Sequence, residues 1–176
     1  MSSPEIARIV HRPAAAPDDR QPLSAFYVEV ESFDDAEGFG RRLREFVRAG
    51  VNASLVADFG LDAISEADIP PWTRESWESA AERYAAHRGD EEWTVQDVLF
   101  AFDPSQREWS WWDATSVFGN IVCVWVDSQG EAVYNCEELR WMMYVAGARA
   151  VVGPLLRDSG DWKQSVSLGT DGAALC

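Results

Sequence analysis

The sequence predicts an α+β domain: a β-α-β opening, then a mostly antiparallel meander sheet of roughly five to seven strands with about three helices packed against it. Three observations carry that expectation. Residues 25–31, AFYVEVE, alternate apolar and polar as a half-buried strand does. Residues 77–85 repeat apolar side chains with a helical period. Residues 98–135 are rich in β-branched and aromatic side chains broken by turn signals.

The opening strand sends Phe26, Val28 and Val30 to one side and Tyr27, Glu29 and Glu31 to the other. Ser32 or Asp34 caps the helix that follows. Asp34, Asp35 and Glu37 place negative charge in its first turn, where the helix dipole favours it, and Leu43, Phe46 and Val47 face inward. Gly50 reads as a left-handed C-cap and VNASLVADF as the second strand. Residues 60–72 form an acidic loop or short helix that stops at Pro70 and Pro71. Thr73 caps the next helix. Its Trp77, Ala80, Ala81, Tyr84 and Ala85 fall on one face, and Gly89 closes it.

VLFAF (98–102) and REWSWWD (107–113) read as an antiparallel hairpin across a turn of Asp103, Pro104, Ser105 and Gln106. NIVCVWVD (120–127) turns through Ser128, Gln129 and Gly130 into EAVYN (131–135), a second hairpin. Glu137 and Glu138 open a third helix that runs to Ala146 and ends at Gly147, ahead of a short strand, ARAVV, broken by Gly153 and Pro154. Residues 1–23 read as an irregular N-terminal arm with a short strand near Ile6–Val10. Residues 24–158 read as a single domain, and residues 159–176 as a C-terminal tail with one helical turn around Trp162.

At 176 residues the chain can bury roughly 70% of its unfolded surface. Its 47% apolar content and nine Trp supply a core that a disordered segment lacks. The longest apolar runs, Ile121–Val126 and Trp141–Ala146, are about a third of the ~20 residues a membrane helix needs, and the N-terminus has no continuous apolar stretch of a signal peptide. A cytoplasmic protein is expected. Cys123, Cys136 and Cys176 form no CxxC pair, which points away from a disulfide framework or a zinc site and toward a reducing compartment. Lys163 is the only lysine among fifteen basic residues, an arginine bias that fits a GC-rich bacterial genome.

Charge is unevenly distributed. Residues 1–60 carry 10 acids and 7 bases, residues 61–140 carry 17 and 5, and residues 141–176 carry 3 and 3, so the middle segment supplies −12 of the total −15. Such a field opposes nucleic-acid phosphate and anionic lipid, whose binding depends on basic side chains, and it attracts basic protein surfaces. No nucleic-acid or membrane partner is therefore expected, and self-association stays open.

Motifs with dedicated chemistry are missing: no GxSxG, P-loop, dinucleotide glycine pattern or HExxH occurs. The acidic helix starts lack the alternating oxygen spacing of a calcium loop. Cys136 stands at a helix N-terminus, which lowers a thiol pKa, but Glu137 and Glu138 oppose that effect, and His11 and His87 are the only histidine bases to serve it. No catalytic residue, cofactor or metal is assigned.

What the middle segment does combine is acid with indole. Glu108, Trp109, Trp111, Trp112 and Asp113, together with Glu137 and Glu138, are the candidate partner-binding residues, acids steering and indoles anchoring. The expected function is non-enzymatic recognition of a basic protein, most concretely immunity- or antitoxin-type inhibition of a toxin or nuclease. The alternative is a small-molecule-binding domain or unfamiliar enzyme with a pocket lined by Trp111, Trp125, Cys136 and Trp141.

Overall fold

A computed structural model describes residues 3–18, 21–88 and 92–171. In chain order the elements are α1 (Pro4–Val10), β1 (Leu23–Glu29), α2 (Asp35–Val56), α3 (Trp72–Arg88), α4 (Val95–Phe100), β2 (Ser110–Phe118), β3 (Ile121–Asp127), α5 (Glu137–Ala146), β4 (Ala150–Arg157), α6 (Ser159–Lys163) and β5 (Val166–Ser167). The class is α+β, with one five-stranded antiparallel sheet in the order β4-β1-β3-β2-β5.

The alternation of β1 holds: Phe26, Val28 and Val30 enter the main core, and Leu23 and Ala25 lie in a smaller cluster on the opposite sheet face. α2, α3 and α5 pack over the first of these faces. α3 buries Ala80 and Tyr84 as its periodicity requires, and α5 ends at Gly147 with φ +120, the left-handed C-cap its sequence asks for. The expected helix stop at Gly89 lies outside the described residues, as does Cys176.

Three strands expected within residues 24–158 are absent. VNASLVADF mostly continues α2, which passes through Gly50 to Val56. Gly50 serves close packing instead of a cap: a Cβ there would stand 2.5 Å from the Phe102 ring. VLFAF falls on α4 and the turn after it. A capping box nucleates this helix, Asp97 N–H donating to Thr94 Oγ1 and Thr94 N–H to Asp97 Oδ2. EAVYN is turn and loop.

The observed hairpin therefore joins β2 to β3 through Gly119–Asn120, a two-residue turn already legible as GN between apolar runs. The opening is β1–α2 without a returning strand, and the described residues form six helices where about three were expected. Pro154 does not break β4, because the ladder to β1 absorbs it as a register shift between Ala25 and Tyr27.

The N-terminal segment carries α1 where a short strand was expected. Ser3 accepts the Glu5 N–H and Pro4 fills the first turn, a helix start by local chemistry. Its role is to finish the sheet. β5 pairs β2 only at Thr115 and Ser116, leaving the main chain of Trp111 unpaired on that edge. Glu5 Oε1 accepts the Trp111 N–H at 2.6 Å and Arg8 Nε donates to the Trp111 carbonyl at 2.9 Å, so two side chains of α1 replace a neighbouring strand.

Candidate functional site

The seven residues singled out by sequence do not form one surface. Trp109 and Trp111 belong to the main core, and Trp112 lies on the other sheet face, edge-on to Trp162 at 5.7 Å and under Arg8 at 5.0 Å. Glu138 is buried and accepts the Trp109 indole N–H at 2.6 Å; burial raises its pKa above the ordinary carboxylate value, against that hydrogen bond. Glu137 is half-exposed, within reach of the Tyr84 hydroxyl at 3.1 Å and of Arg140 at 3.6 Å. Glu108 is exposed and accepts the Asn135 N–H at 2.6 Å.

Asp113 is 0% exposed and forms the most connected polar contact in the fold. A bulge sets both Trp112 and Asp113 opposite Trp125, which turns the carboxylate toward the edge of β2. There it pairs with Arg44, accepts the Trp162 indole at 2.7 Å and the Ser167 hydroxyl at 2.6 Å, and has Arg12 at 3.9 Å. Arg44 also donates to the carbonyls of Arg8, Ile9 and Leu168, and Arg12 to those of Ser165, Trp162 and Lys163. The hub thus pins both terminal segments to the sheet. Every oxygen of Asp113 is engaged internally, so its work is structural.

Acid and aromatic surface do coincide, at α4. Val98 and Leu99 anchor this helix in the core, while Gln96 ties it to the preceding loop through both the N–H and carbonyl of Ile64. Trp77 fixes the adjoining chain by donating its indole N–H to the Trp93 carbonyl at 2.8 Å. What remains outside is an open groove of about 460 Å³ lined by Glu92, Trp93, Asp97, Phe100, Ala101 and Gln106. Phe59 packs edge-on to Phe100 at 6.3 Å, and Leu55, Val56 and Leu61 are exposed on the chain leading into and out of it.

The turn at Asp103–Gln106, held by the Asp103 carboxylate on the Ser105 N–H, separates this groove from a second hollow of about 230 Å³ that includes Glu108, Asp127 and Pro104. Between Asp58 and Glu108 the residues with described side chains hold eleven carboxylates and three arginines. Arg74 pairs with Glu66, Arg83 is engaged by the Tyr144 and Ala148 carbonyls, and Arg107 is clamped by Glu5. Among the described residues, no cation lies within ion-pair distance of Glu92, Asp97 or Glu108. The missed signal in the sequence was W-T-V-Q-D: a capping box whose outer face carries an acid beside an indole.

Neither of the two described thiols is arranged for nucleophilic work. Cys123 is buried in the second cluster, and burial pushes its pKa well above that of a free thiol. Cys136 is buried in the main core, and His87 is stacked on Tyr144 at a centroid distance of 6.2 Å. Among the described residues no group of three or more His, Cys, Asp or Glu is placed to hold a metal ion, and no helix is long and apolar enough to cross a membrane. No family model, no curated protein and no solved structure matches this chain.

Proposed function

We propose that this chain is a non-enzymatic binding domain that receives a basic protein through its acidic middle segment. It would act in the cytoplasm, most concretely as an immunity- or antitoxin-type inhibitor of a basic toxin or nuclease. One observation carries the reading: the groove at α4 sets half-buried Trp93 and Phe100 between carboxylates that no internal cation neutralises among the described residues. Uncompensated acids raise the local concentration of a basic surface and steer its approach. Half-buried aromatics in a concave site are the usual centres of binding energy. The contact residues in this reading are Trp93, Phe100, Glu92 and Glu108, in place of the buried Trp109, Trp111 and Asp113.

The test is retention of proteins from the native host on the immobilised chain at low and moderate salt, wild type beside Trp93→Ala and Glu92→Lys. A basic protein held by the wild type, weakened by salt and weakened at least ~10-fold by Trp93→Ala supports the reading. Retention of no basic protein at either salt overturns it. Inhibition of the retained protein's own activity then separates an inhibitor from a carrier.

A pocket lined jointly by Trp111, Trp125, Cys136 and Trp141 has less support. Trp111, Cys136 and Trp141 are packed in the main core, and Trp125 lies on the opposite face of the sheet.

A further inference from the structure

Helices cover one face of the sheet, and the smaller cluster that includes Trp162 covers part of the other. Beside that cluster the outer face sinks into a cleft of about 280 Å³. Partners across an antiparallel pair share a face, so the register sets Tyr27, Cys123 and Thr115 in one row across it. Trp125 lies next to them, and the exposed Arg157, Asp161 and Gln164 stand at the rim. The volume is just below the ~300 Å³ at which pockets for drug-sized ligands begin, room for one small ring.

The lining holds hydrogen-bonding capacity that the fold does not use. Thr115 is fully buried; its Oγ1 accepts the Trp125 indole N–H at 2.9 Å, and among the described residues its own hydroxyl proton has no acceptor. The Tyr27 hydroxyl and the Gln164 side-chain amide likewise have no hydrogen-bond partner among the described residues. Burial raises the Tyr27 pKa above that of a free phenol, with Arg157 opposing, so the hydroxyl keeps its proton. Arg157 and Asp161 close on each other. Nε and Nη2 both donate to Oδ2, at 3.1 and 2.8 Å, which leaves Nη1 and Oδ1 unspent.

Each class of occupant meets a different balance here. An apolar one strips water from Thr115, Tyr27 and Gln164 and returns no hydrogen bond. An ion gains little from a carboxylate and a guanidinium already paired, and an anion is opposed further by the net charge of −15. A neutral molecule bearing several hydroxyls suits every group. Neighbouring hydroxyls donate to Asp161 Oδ1 and accept from Arg157 Nη1, charge-assisted contacts of the stronger kind, while others meet Thr115, Tyr27 and Gln164. The C–H face of a saturated ring is apolar and rests on the Tyr27 side chain. We infer that this cleft is a binding site for a neutral cyclic polyol of monosaccharide size.

This inference does not rest on the α4 groove, and its test needs no protein partner. The full isotope-labelled chain is titrated with D-glucose, D-galactose and myo-inositol, each to about 50 mM, beside cyclohexanol and sodium acetate, and followed by amide NMR. A saturable shift centred on Tyr27, Thr115, Cys123 and the Gln164 side-chain amide is expected with at least one polyol, at a Kd on the order of 1 mM. Asp161→Ala and Gln164→Ala, both at exposed positions, should each weaken binding at least ~10-fold with circular dichroism and melting temperature unchanged, whereas Trp93→Ala leaves it intact. No saturable shift with any of the three polyols overturns the inference. So does equal binding of cyclohexanol or acetate at the same residues, or polyol binding that either cleft variant leaves at wild-type affinity.

Discussion

The Trp109 indole nitrogen lies 2.6 Å from Glu138 Oε1, in a buried contact that joins the approach to β2 to the first turn of α5. Among the described residues the other carboxylate oxygen, Oε2, has no hydrogen-bond partner. A charge held this way is poorly compensated, and burial raises the Glu138 pKa from the ordinary 4.5.

The folded state therefore holds this proton more tightly than the unfolded chain. Ionisation of Glu138 costs nothing below about 4.5, and its penalty grows as pH rises from there through the higher folded value. Glu138→Gln keeps an acceptor for Trp109 and removes the charge. Thermal melts of the two proteins from pH 4 to pH 8 should diverge in favour of the variant toward the alkaline end, by on the order of 1 kcal/mol for a buried carboxylate with one oxygen unpaired. Parallel pH profiles would show that the carboxylate is adequately solvated.

Asp113 and Glu108 should behave as opposites. Asp113→Asn leaves Arg44 buried without its counter-charge and should lower stability by ~3–5 kcal/mol in denaturant titrations. Amide exchange should rise first in α1 and in residues 162–168, the segments that Arg44 and Arg12 hold. Glu108→Lys, at an exposed site, should shift stability by no more than ~1 kcal/mol. A small loss at Asp113 would mean that the hub is dispensable.

Gly50→Ala tests whether packing overrides helix propensity. In an isolated helix alanine is favoured over glycine by about 1 kcal/mol. Here the new Cβ meets the Phe102 ring at 2.5 Å, and overpacking of this kind costs ~1–3 kcal/mol. The variant should melt below the wild type; an equal or higher melting temperature would show that Phe102 moves aside freely.

Cys123 and Cys136 should resist alkylation in the native protein, since both are buried and the Cys123 thiol is held protonated by its surroundings. Mass spectrometry after brief iodoacetamide treatment at pH 8 reads this directly. Rapid labelling of Cys123 without denaturant would reveal an opening of the outer sheet face.

Elements with a clear period or a clear cap were legible. β1 alternates, α3 has a helical face, and α5 runs from two acids to a left-handed glycine, so local chemistry and tertiary packing ask for the same structure. VNASLV and VLFAF failed because β-branched and aromatic residues mark burial as much as strand, and here Val51, Ala53, Val98 and Leu99 are buried from a helix. Neighbouring signals pointed the right way: the Thr94–Asp97 capping box and the Gly119–Asn120 turn. Their weight could be judged only against the competing hairpins.

The candidate surface divides along the same line. Acidity concentrated in the middle third, with aromatic residues in the same segment, is a property of composition and needed no coordinates. Which acids and which indoles meet solvent was decided by tertiary structure. The bulge at Trp112–Asp113 and the buried Arg44 of α2 turn an acid that reads as surface into an internal counter-ion. α4, too short to announce itself by periodicity, carries Trp93, Asp97 and Phe100 to the outside. Class, charge and the longer periodic elements follow from local pattern and were legible along the chain. Exposure and pairing needed the fold, because a side chain's partners are set by residues distant along the chain.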